Sequence, residues 1–289
     1  MTGRVWIQAA RPRTFPAAIA PVVVGTAAAR QFTGWRFSAA LLVALAMQVA
    51  VNYANDYFDG VRGVDTAERV GPRRAVASGD ASPQAMKVAI AAALLVAAVA
   101  GLALAAAAGW ELLAVGAVSF LAALAYSGGP RPYASAGLGE VFVFVFFGLV
   151  ATVGSAYVQD ERVAGAAVAA ALPVGALASA ILMVNNLRDI GTDRAAGKMT
   201  LAVRLGEQRS RSAYWSLVGG AYVGACVVAG AVSSAWPLLA LASLPLLLPL
   251  RARVRAGASG ADLIAALGGT GRLELVFAVL FAAGLVLAR

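Results

Sequence analysis

The sequence predicts an all-α, polytopic membrane protein: nine transmembrane helices in a single bundle, one domain over residues 1–289. Two observations predict that class. Only 13% of the residues are charged and 61% are hydrophobic, against about 25% charged in a soluble chain. The apolar residues are also gathered into runs near the roughly 20 residues that a spanning helix needs. The alternating ten-residue segments of a membrane β-barrel are absent.

The runs fall at 15–30, 37–55, 86–108, 112–127, 138–158, 163–187, 213–232, 235–250 and 273–288. The first follows the basic start MTGRVWIQAARPRTF, which is too polar for a cleavable signal peptide. The second ends in NYANDYFD (52–59). The third and fourth form one stretch divided by Gly109-Trp110-Glu111. The fifth opens beside Glu140, whose charge suits a helix N-terminus, and carries VFVFVFF, aromatic surface for lipid or for a bound hydrocarbon. The sixth ends in NNLRDIGTD (185–193), and Ser233-Ser234-Ala235-Trp236-Pro237 separates the seventh from the eighth.

With nine spans the loops alternate sides, and the basic residues do not divide evenly. All but Arg30, Arg36, Arg162 and Arg289 of the 23 lysines and arginines fall on one side. Short loops rich in Lys and Arg face the cytoplasm, so the N-terminus is expected in the cytoplasm and the C-terminus outside. The formal charge of +9 is therefore mostly topology and implies no nucleic acid partner. The single cysteine, Cys226, lies inside an apolar run and excludes an internal disulfide. The lack of histidine excludes His-ligated zinc or haem and His-based triads.

Two acidic clusters stand out, because carboxylates at membrane depth are costly and usually functional. At about 100° per residue, Asn52, Asn55, Asp56 and Asp59 share an arc of roughly 100°, with Gln48 one turn earlier on the same face. If the sixth helix continues, Asn185, Asn186, Asp189 and Asp193 do the same. Both clusters lie on the basic, cytoplasmic side. Four facing carboxylates repel unless cations sit between them. Oxygen-only donors favour a hard ion, magnesium above all, which is commonly held by a few carboxylates plus substrate phosphates. Two ions would offset four negative charges and leave the loop Arg and Lys to neutralise a diphosphate.

These motifs resemble a known family. NDYFD and DIGTD are similar to the two aspartate-rich motifs of the UbiA superfamily of intramembrane prenyltransferases. Finer features resemble its 1,4-dihydroxy-2-naphthoate polyprenyltransferase branch: RPRTFPAAIAPVVVGTA (11–27), NYANDYFDGVRGVD (52–65), GPRRAVASG (71–79), YSGGPRPYASAGLGEVFVFVFFG (126–148) and NNLRDIGTDRAAGKMTLAVRLG (185–206). The resemblance runs from about residue 11 to 206, beyond which only hydropathy matches. The general superfamily pattern places a third acid four residues after Asp59; here Gly63 stands there and Asp65 follows, the spacing of the naphthoate branch.

The resemblance implies transfer of a polyprenyl chain from its diphosphate to 1,4-dihydroxy-2-naphthoate with loss of carbon dioxide, a step of menaquinone biosynthesis. It implies Asp56 and Asp59 as ligands of one magnesium ion, and Asp189 and Asp193 as ligands of another. Lys198, Arg73, Arg74 and Arg131 become candidate diphosphate clamps. Asn52 and Asn186 would contact diphosphate or metal-bound water, and Arg13 the acceptor carboxylate or the diphosphate. Tyr126, with Tyr133 beside it, flanks SGGPRP as a substrate contact or as an interfacial anchor. The donor tail requires an apolar channel open to lipid. Two other readings share parts of this pattern. A related enzyme acting on 4-hydroxybenzoate or haem would share both acidic motifs. An ion-coupled transporter would instead hold its carboxylates near the midplane on broken helices.

Overall fold

The computed structural model describes residues 3–63, 74–255 and 257–289. Helix α1 (Gly3–Ala10) stops before Pro12, because Arg11 precedes a proline and leaves the helical region (φ 53°). After a 3-10 turn at Pro12–Thr14 come α2 (Pro16–Ala28) and α3 (Gly34–Val61). Next is α4 (Pro83–Ala108), entered through Ser82, whose hydroxyl accepts from the Ala85 amide at 3.2 Å with Pro83 in the first turn. Gly109 and Trp110 turn the chain into α5 (Glu111–Ser127).

The following span runs unbroken from Gly139 to Asp160. Its α6 (Gly139–Val143) and α7 (Ala151–Asp160) flank a π-helical segment at Phe144–Val150. Then α8 (Gly165–Arg188), the short α9 (Ile190–Ala195) and α10 (Leu201–Ala231) follow, α10 bending at Gly206 (φ 75°). A 3-10 segment, Trp236–Leu246, leads into α11 (Leu247–Arg253), and α12 (Ala261–Leu287) completes the set.

Helix α8 is the hub: it packs against α2, α6, the π segment, α7, α10 and α12, and most of its length is buried. Small residues let backbones meet, as in membrane bundles generally. A Cβ on Gly148 would lie 2.5 Å from the Gly175 Cα, and one on Gly25 would lie 2.1 Å from the Thr152 carbonyl oxygen. At one end of the bundle the turns are tied together by buried polar groups. The Asp160 carboxylate accepts from the Arg30 and Gln31 amides at 2.8–2.9 Å, and Arg36 donates to the Val158 and Ala107 carbonyls at 2.9 and 2.8 Å. The other end carries both acidic clusters.

The protein is a multi-pass, all-helical membrane protein, with three departures from expectation. Among the described residues six helices are long and apolar enough to cross a membrane, not nine. The other three predicted spans fall on α2, on α5 and on the irregular Trp236–Leu246 and Leu247–Arg253 pair. With 13 residues, α2 is about 20 Å long against a hydrocarbon core of about 30 Å. Helix α3 runs on to Val61, so NYANDYFD sits wholly on regular helix. The sixth predicted helix does not continue: α8 ends at Arg188, and Asp189 takes a non-helical φ −96°, ψ 6° before α9. The common arc expected for Asn185, Asn186, Asp189 and Asp193 is therefore broken at Asp189.

Candidate active site

The first cluster keeps its helical geometry, and each polar side chain on its inward face is hydrogen-bonded. Gln48 Nε2 donates to the Thr14 hydroxyl at 2.7 Å. Asn52 Nδ2 donates to the Ala10 carbonyl at 2.8 Å and to the same hydroxyl at 3.1 Å. These two amides seat the Arg11–Thr14 segment against α3. Asp56, 1% exposed, accepts from the Ala75 and Val76 amides at 3.0 and 2.9 Å and so draws the loop before α4 onto α3. Asp59 accepts from Lys198 Nζ at 3.0 Å. Asn55 bridges the set: with its amide nitrogen turned to Asp59 Oδ2 (2.6 Å), its oxygen accepts from Arg11 Nη1 at 3.0 Å.

In the second cluster the Asp189 carboxylate accepts both Nε and Nη2 of Arg188, at 2.7 and 2.6 Å, and Arg188 also donates to Asn185 Oδ1 at 3.0 Å. Beyond the break the Asp193 amide bonds the Asp189 carbonyl at 2.8 Å, and the Lys198 amide bonds the Asp193 carbonyl at 2.8 Å. That compact turn carries Lys198 back to Asp59, so the two motifs are joined by one ion pair. Asn186 turns elsewhere and donates to Glu140 Oε1 at 2.9 Å. Glu140 is 5% exposed, buried rather than serving a water-facing helix end.

The remaining candidates separate. Arg74 is buried beside Asp56's loop. Arg73 lies outside the described residues, as does Asp65. Arg13 and Arg131 are exposed. Arg11, which the motif pattern did not single out, lines the cavity, whereas Arg13, expected to contact the acceptor carboxylate or the diphosphate, is not among its lining residues. Nothing in the sequence signals it, because its orientation depends on a left-handed backbone that arginine seldom adopts. Arg62 was also missed; it donates to the Ser127 and Gly129 carbonyls at 2.7 and 2.5 Å and pins the loop after α5. Tyr133 donates to the Ala122 carbonyl at 2.8 Å and stacks on Phe142 with centroids 3.9 Å apart, and burial pushes its phenol pKa up.

A cavity of about 460 Å³ opens from this polar end between α2, α3, α4, α5, the α6–α7 span and α8. Its mouth is lined by Arg11, Gln48, Asn52, Asn55, Tyr126 and Asn185, and its far end by Leu104, Leu112 and Val158. Among the described residues, Arg11 is the only charged one lining it. The π segment turns Phe146, Phe147 and Val150 into its wall. Among the described residues no three acidic side chains converge tightly enough to hold a cation by themselves. Asp56, Asp59 and Asp189 are instead held by amides or cations, one helical turn or less from Asn52, Asn55 and Asn185, which line a long apolar space. Such a site suits an amphiphile with an anionic head and a hydrocarbon tail.

Known proteins resemble this chain in sequence and in fold. The chain is 45% identical over 283 residues to the 1,4-dihydroxy-2-naphthoate octaprenyltransferase of Mycobacterium tuberculosis, an alignment covering 97% of this chain and 96% of that protein. It is 36% identical to the Escherichia coli enzyme of the same name, covering 84% of this chain and 82% of that one. Its fold matches that of a UbiA homolog from Archaeoglobus fulgidus bound to DMAPP and Mg2+, with a TM-score of 0.68 at 16% identity, covering 97% of this chain and 98% of that chain. It also matches the apo structure of a UbiA homolog from Aeropyrum pernix K1, with a TM-score of 0.69 at 17% identity over 94% of this chain and 97% of that one. The profile of the UbiA prenyltransferase family matches residues 17–267. This chain belongs to the UbiA prenyltransferase family.

Proposed function

We propose that this chain transfers a polyprenyl group from its diphosphate to 1,4-dihydroxy-2-naphthoate with loss of carbon dioxide, giving the reduced, quinol form of demethylmenaquinone for menaquinone biosynthesis. The observation that carries the reading is the junction at Asn55, whose amide reaches Asp59 of the acidic cluster on one side and Arg11 of the cavity wall on the other. A polyprenyl diphosphate needs both environments joined at one point. Relatives bearing the naphthoate enzyme's name along nearly the whole chain support the acceptor.

The donor set fits magnesium. Asp56, Asp59, Asp189 and Asp193 are buried and offer only oxygen, and their separation into two pairs suits an ion that keeps waters and takes phosphate oxygens. Two ions, one on Asp56 and Asp59 and one on Asp189 and Asp193, would neutralise the diphosphate as the allylic C–O bond breaks.

The protein's own groups do the rest. Lys198 has in Asp59 a partner that a diphosphate oxygen can replace, and its ammonium then offsets charge on the leaving group. Arg73, Arg74 and Arg131 are its further clamps, and Asn52 and Asn186 hold the edges of the site. The cavity takes the tail and keeps water from the allylic cation. Tyr126 and Phe142 line it and offer ring faces to that cation. Arg11 is the cation that the cavity presents to the acceptor's carboxylate. The ring carbon bearing that carboxylate attacks the allylic carbon. The bond to the carboxylate then breaks, its electron pair restores the aromatic ring, and carbon dioxide leaves. No ring proton needs removal, so the reaction requires no base at that carbon.

The chain acts as one membrane domain with its basic end in the cytoplasm. With Cys226 replaced by serine, a cysteine at the exposed Gln84 should react only from the cytoplasmic side; reaction from outside intact cells overturns that orientation. The activity itself is tested with purified protein, magnesium and a labelled polyprenyl diphosphate. Excess EDTA should stop product formation and added magnesium restore it, and full activity in EDTA contradicts the reading. 4-Hydroxybenzoate should react about tenfold more slowly, since the fused ring's extra area contributes about 1–2 kcal/mol at about 25 cal/mol per Å². Equal or faster turnover of 4-hydroxybenzoate would move the chain to another branch of the family.

A further inference from the structure

Three glycines on three different helices line the apolar cavity: Gly101 on α4, Gly116 on α5 and Gly154 on α7. Glycine weakens a helix interior unless close packing or special backbone geometry requires it. At these three positions neither does. All have negative φ, and a Cβ added to any of them meets no atom within 4 Å. Gly25 and Gly148, by contrast, lie where an added Cβ would strike a neighbouring backbone.

The three also share a depth. Gly101 lies seven residues before the end of α4 and Gly116 five after the start of α5, so both stand about 8–10 Å inside the turn that joins those helices. Tyr157 anchors α7 to that same turn, its hydroxyl 3.4 Å from the Ala108 carbonyl and hydrogen-bonded to Glu111. Gly154 lies one turn deeper than Tyr157 along α7. From Tyr126 at the polar mouth to Gly116 is ten residues of α5, about 15 Å. The absent side chains therefore widen one level of the cavity well beyond the reacting carbon, where only the distal part of a long tail would pass.

We infer that Gly101, Gly116 and Gly154 set the bore of the tail passage and determine the length of prenyl donor the protein accepts. The inference rests on the proposed prenyl transfer and deepens it. A donor as short as geranyl diphosphate ends before this level, whereas a polyprenyl donor must thread it.

The test substitutes leucine at Gly116 and, independently on another helix, at Gly154. Each variant's kcat/KM is measured with geranyl and with octaprenyl diphosphate. The control is Gly219→Leu on α10, which is exposed, equally open and away from the cavity. Octaprenyl turnover should fall by about tenfold or more in both cavity variants while geranyl turnover stays within about twofold, and the control should change neither. Parallel losses on both donors, or no loss on octaprenyl diphosphate, overturn the inference. These outcomes are distinct from failure of the transfer reading, which would appear as a wild-type protein inactive on both donors.

Discussion

Lys198 Nζ lies 3.0 Å from Asp59 Oδ2, although the two residues are 139 positions apart. This ion pair joins the turn after the second acidic motif to the helix bearing the first, and both partners are largely buried. In the proposed reaction its ammonium offsets charge on the leaving diphosphate.

Replacing Lys198 with methionine removes that charge and keeps much of the side chain's volume. The kcat/KM for donor should fall by on the order of a hundredfold, with the protein still monodisperse in size-exclusion chromatography. Activity within a few-fold of wild type would assign Lys198 to topology alone.

Beside its proposed metal ligation, Asp56 has a role visible only in the fold: its carboxylate holds the Ala75 and Val76 amides. Asp56→Asn keeps the shape but leaves one acceptor oxygen for two donors. We expect activity to drop by at least about a hundredfold and trypsin to cut faster after Arg74. Unchanged cleavage kinetics would mean that the loop is held by other contacts.

Glu140 and Asn186 form a buried pair between α6 and α8. Glu140→Ala strands the Asn186 amide and should destabilise the protein by about 1–3 kcal/mol, read as a lowered unfolding temperature in detergent. Glu140→Gln retains an acceptor oxygen and should lose less. Equal losses in the two variants would show that the hydrogen bond is not what stabilises the pair.

Much of this architecture is legible in the residues. The apolar runs gave the helical membrane class, and the 3.6-residue period brought Asn52, Asn55, Asp56 and Asp59 to one buried face, where they lie. Other features depend on contacts that no local pattern encodes. Asp189 leaves the helix where the chain turns towards Lys198, so a periodic extension past Arg188 fails. Arg11 reaches the cavity through a left-handed backbone conformation, and Asn186 faces Glu140 only because α6 packs on α8. The apolar cavity is invisible to periodicity, since Ala- and Gly-rich helices can either close on one another, as at Gly148 and Gly175, or stand apart, as at Gly101 and Gly116.

The central claim is decarboxylative prenyl transfer, and the most direct measurement follows the carboxyl carbon. Purified protein would be incubated with magnesium, a polyprenyl diphosphate and carboxyl-labelled 1,4-dihydroxy-2-naphthoate, trapping released carbon dioxide while prenylated product is quantified. The account predicts one labelled carbon dioxide for each product molecule and no label in the product. A prenylated product that keeps the label, or no transfer to this acceptor under conditions where another aromatic acid is prenylated, would contradict it.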